Sequence, residues 1–242
     1  MIYKVQFGRH GLRFLFNYPD TGSQFGRYLE NTDGIEHDVW APPELIEQMR
    51  EICTDNVSED FLEFRSLVQP TSRKLLEYES ILFHSVSFIY KDRAWLLAAP
   101  SGTGKTTQFL NWSRLFPNEI RMICGDMPVI SCEDDEVWVY PSPWNGSERM
   151  GSMSSAKLAG IVFLAQDDHN EIVPLSKAKA VMDFCCQALY LPYTEEQACK
   201  LSRFVEKVLS GCSQWQFKNL GNYPSTMMLR DTLIKHIMQE EA

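Results

Sequence analysis

The sequence predicts an α/β fold, and three features support this prediction. An apolar run at 94–97 leads into a glycine-rich turn at 98–104, after which residues 107–116 have helical character and end before Pro117. A second apolar run, at 121–130, contains a single acidic residue, Asp126. Segments at 176–190, 195–210 and 225–240 place apolar side chains at helical spacing. Strands that alternate with helices in this way are typical of α/β domains.

Composition and charge limit the classes of function. The 242 residues are 44% hydrophobic, which is enough for a large core. The net charge of −9 argues against nucleic acid or an anionic membrane as the main partner, because both bind basic surfaces. No apolar run approaches the roughly 18 residues of a membrane span, and the first residues lack the apolar core of a signal peptide. We therefore expect a cytoplasmic protein with neither a nucleic-acid nor a membrane partner.

The first third of the chain, residues 1–78, is predicted to be a small α+β region. Residues 1–18 contain two short strand patterns, and a third strand is expected at 38–40. A helix is expected at 44–50, and a second at 61–76 with an interruption at Pro70. No residue of this region has a predicted catalytic role, and residues 79–242 are predicted to form a second, larger domain.

The turn after the apolar run at 94–97 has the pattern of a phosphate-binding loop. Gly102 and Gly104 allow the backbone to turn sharply and approach an anion closely. Lys105 supplies a positive charge for the outer phosphates, and Thr106 supplies a hydroxyl for Mg²⁺. The usual first glycine is Ala99 here, which fits if its φ is negative. The alternative is a glycine-rich turn that happens to precede a lysine. The predicted binding residues are Pro100, Ser101, Gly102, Thr103, Gly104, Lys105, Thr106 and Thr107.

A strand at 80–90 is predicted to form a hairpin with the strand before this loop, through a turn at 91–93. His84 is the polar exception in its apolar part, near the end expected beside the loop. A histidine there is either a core residue or part of the site.

Asp126 is the only acid at the end of the run that follows the loop helix. A phosphate-loop enzyme needs a carboxylate there to hold Mg²⁺ directly or through water. The alternative is an ordinary turn aspartate. In the loop at 141–151, Glu148 is a candidate to assist a base or a metal, and Arg149 to meet a phosphate, although both are also compatible with a plain surface.

The run from Phe83 to Thr107 resembles the kinase domain of HPr kinase/phosphorylase and of ATP-dependent phosphoenolpyruvate carboxykinase. In the former, a histidine on a strand precedes the loop lysine by 21 positions, as His84 precedes Lys105 here. The whole chain is similar to an uncharacterised bacterial group related to HPr kinase. The shared features are the opening Met-Ile-Tyr, the turn at 18–19, the Pro-Trp-Asn-Gly loop at 143–146 and the strand at 161–164.

This resemblance implies a phosphate-loop kinase domain with a mixed sheet that uses ATP and Mg²⁺ to phosphorylate a hydroxyl. The acceptor in such relatives is a serine of a protein, free serine or another small alcohol, or a peptide. By the same resemblance, His84, Lys105, Asp126 and Glu148 are the catalytic residues, and Thr106 and Asp126 are the metal ligands. An oligomer is compatible with the resemblance.

The chain departs from the family pattern at two places. Relatives usually carry two adjacent acids at the metal strand, whereas the first is Gly125 here. The loop after Asn145-Gly146 usually continues Lys-Glu-Gly, and here Ser147 replaces the lysine while Glu148 is kept. These departures leave a second hypothesis open, an accessory protein that binds ATP without catalysis. A carboxykinase-like lyase is a third, which the short chain and the missing basic cluster disfavour.

Overall fold

A computed structural model of the chain has mixed α/β architecture, as the sequence predicts. It describes residues 2–31, 36–53, 56–146 and 151–240. The strands are β1 (Ile2–Phe7), β2 (His10–Leu15), β3 (Leu29–Asn31), β4 (Ser80–Leu82), β5 (Ser85–Tyr90), β6 (Arg93–Ala98), β7 (Ile120–Cys124), β8 (Val129–Glu133), β9 (Glu136–Tyr140), β10 (Ala156–Gln166), β11 (Glu171–Pro174) and β12 (Ser213–Asn219). The helices are α1 (Thr21–Phe25), α2 (Pro43–Ile52), α3 (Glu59–Ser66), α4 (Val68–Leu76), α5 (Lys105–Leu115), α6 (Lys177–Gln187), α7 (Glu195–Ser210) and α8 (Tyr223–Glu240).

The larger of two sheets has nine strands and mixed direction. Its path runs β4-β8-β9-β10-β6-β5-β7, with β12 beside β10 and β11 beside β12. Strands β6, β10 and β12 are parallel, while β5 is antiparallel to both β6 and β7. Consequently β6 and β7 end at the same edge of the sheet at which β5 begins. The loop after β6, the turn after β7 and the residue before β5 therefore meet at that edge.

The predicted hairpin before the glycine-rich loop is confirmed, and a second hairpin joins β8 to β9; each has a turn of two residues. Lys91 and Asp92 join β5 to β6 with φ of 52° and 58°. Asp134 and Asp135 join β8 to β9 with φ of 50° and 64°. Two consecutive positive φ values give a turn whose twist matches that of the flanking strands.

The single strand predicted at 80–90 is wrong, because the chain changes partners at His84. β4 pairs with β8, whereas β5 pairs with β6 and β7. Between them, the His84 backbone N–H donates to the carbonyl oxygen of Gln187 at 2.9 Å. The Phe83 backbone forms an isolated bridge with Ala188. At His84, contacts with the end of α6 thus replace strand pairing, and β4 and β5 are separate strands.

The N-terminal region contains the smaller sheet, ordered β2-β1-β3, and helices α1 to α4. Two predictions for it are wrong. The third strand is β3, whereas the backbone at 38–40 makes one isolated bridge between Phe14 and Val39. The helical break lies at Leu67. Pro70 sits in the first turn of α4, where a missing N–H costs no intrahelical hydrogen bond.

The C-terminal part contains the three predicted helices, α6, α7 and α8, and two strands that were not predicted. β12 pairs in parallel with β10 and places Trp215 and Phe217 in the core. The alternation of buried and less buried residues in β12 covers only seven residues, and it lies between the two longer helical patterns of α7 and α8. Among the described helices, none is long and apolar enough to cross a bilayer.

One apolar cluster joins the two sheets. It contains Phe7 and Phe14 of the small sheet and Phe64 of α3. From the larger sheet it contains Val129 of β8, and from the loop after β9 it contains Trp144. The Trp144 ring stacks on Phe64 at 5.5 Å, and its indole N–H donates to the Phe64 carbonyl at 2.9 Å. The N-terminal region therefore shares part of its core with β8 and with the loop that follows β9.

Candidate functional site

The glycine-rich loop leaves β6 and leads directly into α5. Gly102 and Gly104 have φ of 79° and 102°, values that residues with a Cβ rarely adopt. Ala99 does not have a positive φ, so the expected tolerance of alanine in place of the first glycine is confirmed. The loop backbone thus requires glycine at two positions and accepts alanine at the other.

The N-terminus of α5 is open to a cavity of about 350 Å³. No side chain caps the helix, whose N-cap residue is the left-handed Gly104. The first backbone N–H groups of a helix have no intrahelical acceptor, and the helix dipole makes this end attractive to anions. We call this hollow the loop cavity, and it is lined by His84, Ser101, Gly102, Gly104, Lys105, Thr106, Thr107, Gly125, Asp126 and Gly146.

Lys105 is mostly buried at the back of this cavity. Its ammonium donates to the carbonyl oxygens of Ala99 at 2.7 Å and Pro100 at 3.2 Å. Its third partner is the Nε2 atom of His84 at 3.1 Å. Burial lowers the pKa of Lys105, and the Asp126 carboxylate opposes that effect. The loop itself therefore holds the ammonium in place.

These contacts fix the tautomer of His84. An ammonium group only donates, so Nε2 must carry the lone pair and Nδ1 the hydrogen. That hydrogen is donated to the Gln187 Oε1 atom, 3.1 Å away. Burial, and next the Lys105 charge, lower the pKa of His84. The imidazole is therefore neutral near pH 7.

Asp126 lies opposite the lysine, with its side chain 26% exposed. One carboxylate oxygen is 3.5 Å from His84 Nε2, and the other is 3.8 Å from the Arg65 guanidinium. Its backbone carbonyl accepts the Ser85 N–H at 2.9 Å, which fastens the turn after β7 to the start of β5. Because His84 has no hydrogen on Nε2 in this tautomer, the carboxylate oxygens stay available to a proton or a cation.

The space where relatives are expected to carry a first acid is closed. A Cβ atom on Gly125 would lie 2.7 Å from the carbonyl oxygen of Asn145. The Gly125 N–H donates to the Asn145 side-chain oxygen at 2.6 Å. The 143–146 loop therefore packs against the backbone of Gly125.

The predicted residues fall into three groups. His84, Lys105 and Asp126 converge, and six residues of the 100–107 run line the loop cavity. Pro100 and Thr103 do not line it; the Thr103 hydroxyl instead donates to the Pro100 carbonyl at 2.9 Å. Glu148 and Arg149 lie outside the described residues, so their roles stay predictions.

Three residues near the site were not predicted. Arg65 comes from α3 of the N-terminal region, where no motif marked it. Gln187 lies 103 positions after His84, at the end of an ordinary helical pattern. Asn145 belongs to a loop that the sequence did mark for its mixture of turn formers and binding groups, and that mixture was the available signal.

No family model matches the chain, and no curated protein matches its sequence. Among solved structures, the chain is similar to the HPr(Ser) kinase/phosphatase from Coxiella burnetii. The two are 10% identical, the TM-score is 0.42, and the match covers 66% of this chain and 92% of the other. A likeness of this extent carries no functional argument, so the proposals below depend on the chain's own residues.

Proposed function

We propose that this protein binds ATP with Mg²⁺ on the 99–107 loop and transfers the terminal phosphoryl group to a hydroxyl. One observation carries the proposal: an ammonium, a neutral imidazole and a carboxylate meet at a cavity lined by an uncapped helix N-terminus. Phosphoryl transfer asks a protein mainly to position groups and neutralise charge, so few side chains are needed.

The donor set fits the two ligands. A polyphosphate requires backbone N–H groups and a cation, which the start of α5 and Lys105 provide. Mg²⁺ prefers oxygen ligands and keeps several waters, so the Thr106 hydroxyl and the Asp126 carboxylate suffice as protein ligands. When bound, the metal ion would neutralise charge on the phosphates.

The chain's own groups then have distinct tasks. Lys105 exchanges its carbonyl contacts for phosphate oxygens, because all three of its hydrogens are donated to weaker neutral acceptors. Asp126 accepts the hydrogen of the acceptor hydroxyl and orients its oxygen toward the phosphorus. His84 holds Lys105 on one side and, being neutral, adds no positive charge beside Asp126.

A second function is favoured by the closed space at Gly125. With a single carboxylate in the turn after β7, the protein would bind ATP but lack the second acid that relatives use. In that case it would serve as an accessory nucleotide-binding component of a peptide-modification system.

Two measurements separate these functions. Fluorescent ATP titration reports binding, and [γ-³²P]ATP reports transfer to serine peptides, free serine and polyols. We expect Lys105→Ala to weaken both, and Asp126→Asn to lower transfer about 10²–10³-fold while the fold is kept. Lys235→Ala and Asp231→Asn, both on the exposed face of α8, are the matched controls.

Normal transfer by either site variant would contradict the kinase proposal. Saturable ATP binding without a phosphorylated product from any acceptor would favour the accessory function instead. Absence of nucleotide binding would overturn both.

A further inference from the structure

A second cavity adjoins the loop cavity and lies outside the proposed nucleotide-binding loop. It has a volume of about 520 Å³ and lies between residues 23–28, helix α3 and the 143–146 loop. Asp126 and Gly146 line both cavities. We call this second hollow the N-terminal cleft. A molecule in it would reach the carboxylate that faces the proposed phosphoryl donor.

Among the residues that the structure describes, the cleft has an excess of positive charge. The charged members of its described lining are Arg27, Arg65 and Asp126. Among the described residues, no carboxylate lies within ion-pair distance of Arg27, whose guanidinium donates to the backbone carbonyl of Gly151. The only described ion pair of Arg65 is the long one to Asp126, at 3.8 Å. Both guanidinium groups therefore keep hydrogen-bonding capacity for an anion.

The remaining wall is aromatic, formed by Phe25, Phe64 and Trp144. These rings pack against one another at 5.3 to 5.6 Å and belong to the cluster that joins the two sheets. The cleft thus combines an aromatic wall with two cations, and a few polar groups in an apolar hollow are usual for small-ligand sites.

We propose that the N-terminal cleft is the acceptor site, and that the acceptor is an alcohol with a carboxylate or phosphate group near its hydroxyl. This inference rests on the proposed kinase function. Arg65 and Arg27 bind the anionic group, and the hydroxyl lies at Asp126. The acceptor oxygen forms a bond to the terminal phosphorus, the bond from that phosphorus to the bridging oxygen breaks, the electron pair leaves with ADP, and the hydroxyl proton passes to Asp126.

Matched pairs of alcohols test the charge requirement. The pairs are glycerate with glyceramide, glycerol 3-phosphate with glycerol, and N-acetylserine with N-acetylserinamide. Binding is measured by calorimetry with Mg²⁺ and a non-hydrolysable ATP analogue, and transfer with [γ-³²P]ATP. We expect the anionic member of a pair to bind about 10- to 100-fold more tightly, because hydrogen bonds to charged groups are the stronger ones. The carboxylate and phosphate pairs show which anion is preferred.

Two variants link the preference to the cleft, and a third is the control. Arg65→Met and Arg27→Met should remove most of the preference for the anion, whereas Arg203→Met, on the exposed surface of α7, should keep it. The unfolding midpoint of each variant is measured as well, because a loss of binding caused by misfolding would lower that midpoint.

The outcomes distinguish the two proposals. If anionic alcohols bind in an Arg65-dependent way but no product forms, the cleft assignment stands and the kinase function fails. If phosphoryl transfer occurs with equal binding of charged and neutral alcohols, or survives unchanged in both arginine variants, the cleft assignment is overturned and the kinase function stands.

Discussion

At the scale of single residues, the candidate site depends on one ammonium group that only donates. Lys105 determines which nitrogen of His84 carries hydrogen, and Gln187 accepts that hydrogen. The neutral imidazole can therefore stand between Lys105 and Asp126 without a positive charge of its own.

The depressed pKa of His84 predicts how stability depends on pH. The unfolded chain binds a proton at His84 near pH 6.5, whereas the folded chain binds it only at lower pH. This contribution to stability is present above pH 6.5 and is lost as the pH falls through the folded pKa. The free energy of unfolding, measured with urea at pH 7.5 and 5.5, should therefore fall less between these pH values for His84→Gln than for the unsubstituted protein.

The comparison residue for that experiment is His169. Its pKa is raised by the hydrogen bond to Asp168, so His169→Gln should not reduce the loss of stability in acid. An identical acid-induced loss in the unsubstituted protein and in His84→Gln would contradict the assignment of the neutral imidazole.

A second prediction concerns Gln187 as the residue that orients the ring. Gln187→Glu places a carboxylate beside Nδ1, which favours the charged imidazole and raises the pKa of His84. Gln187→Leu removes the acceptor and should keep that pKa low. Proton NMR titration of the His84 ring reports both, and equal titration midpoints in the two variants would show that Gln187 does not contact the ring.

The sequence predicted the residues whose position follows from local order. His84 and Asp126 flank recognisable strands, and Lys105 follows the glycine-rich loop that leaves another, so the topology of the sheet brings the three together. Arg65 and Gln187 reach the site only through tertiary packing of α3 and α6. Their sequence surroundings are ordinary helical patterns, which carry no information about the face that meets the site.

At the scale of elements, the 99–104 loop combines two positions whose backbone requires glycine with one position that accepts alanine. A Cβ on Gly104 would contact no atom within 4 Å, so any cost of a side chain there is purely conformational. At Ala99, by contrast, φ is not positive, and the backbone allows a side chain. The loop was predictable because its requirements are local, whereas the break between β4 and β5 depends on Gln187 and Ala188, about 100 positions away.

The third prediction follows from the left-handed backbone of Gly104. Gly104→Ala should cost about 1–2 kcal/mol of unfolding free energy, because a side chain disfavours positive φ. It should also weaken ATP binding, since a shift of this backbone moves the first N–H groups of α5. Urea unfolding and nucleotide titration measure the two effects. Ser101→Ala, an exposed neighbour in the same loop, is the control and should change stability little.

At the scale of the whole molecule, the N-terminal region and the larger sheet share an apolar cluster, and ion pairs such as Arg9 with Glu133 and Arg65 with Asp126 join them. Trp144 contacts Phe7 and Phe25 of the N-terminal region at 6.4 and 5.6 Å. Arg65 of α3 reaches Asp126 in the loop cavity. Residues 1–78 and 79–242, which the sequence analysis predicts as two units, thus both line the N-terminal cleft.

This shared cluster gives the fourth prediction. Trp144→Ala should destabilise the protein by about 3–5 kcal/mol, because it removes a buried ring and leaves a cavity. Trp144→Phe should cost less, since it keeps much of the ring and mainly loses the hydrogen bond to Phe64. Unfolding followed by circular dichroism and by tyrosine fluorescence should stay coincident if both regions unfold together. Separate transitions in the unsubstituted protein would contradict the shared core.

The contact between Gly125 and Asn145 has a consequence for how the site can change. A carboxylate cannot be added at position 125 by one substitution, because the neighbouring loop already fills that volume. The same loop carries Trp144, whose indole N–H donates to the Phe64 carbonyl and so binds the first third of the chain. Additional negative charge beside Asp126 is therefore tied to the docking of the N-terminal region, and a second carboxylate there would require changes at both Gly125 and the 143–146 loop.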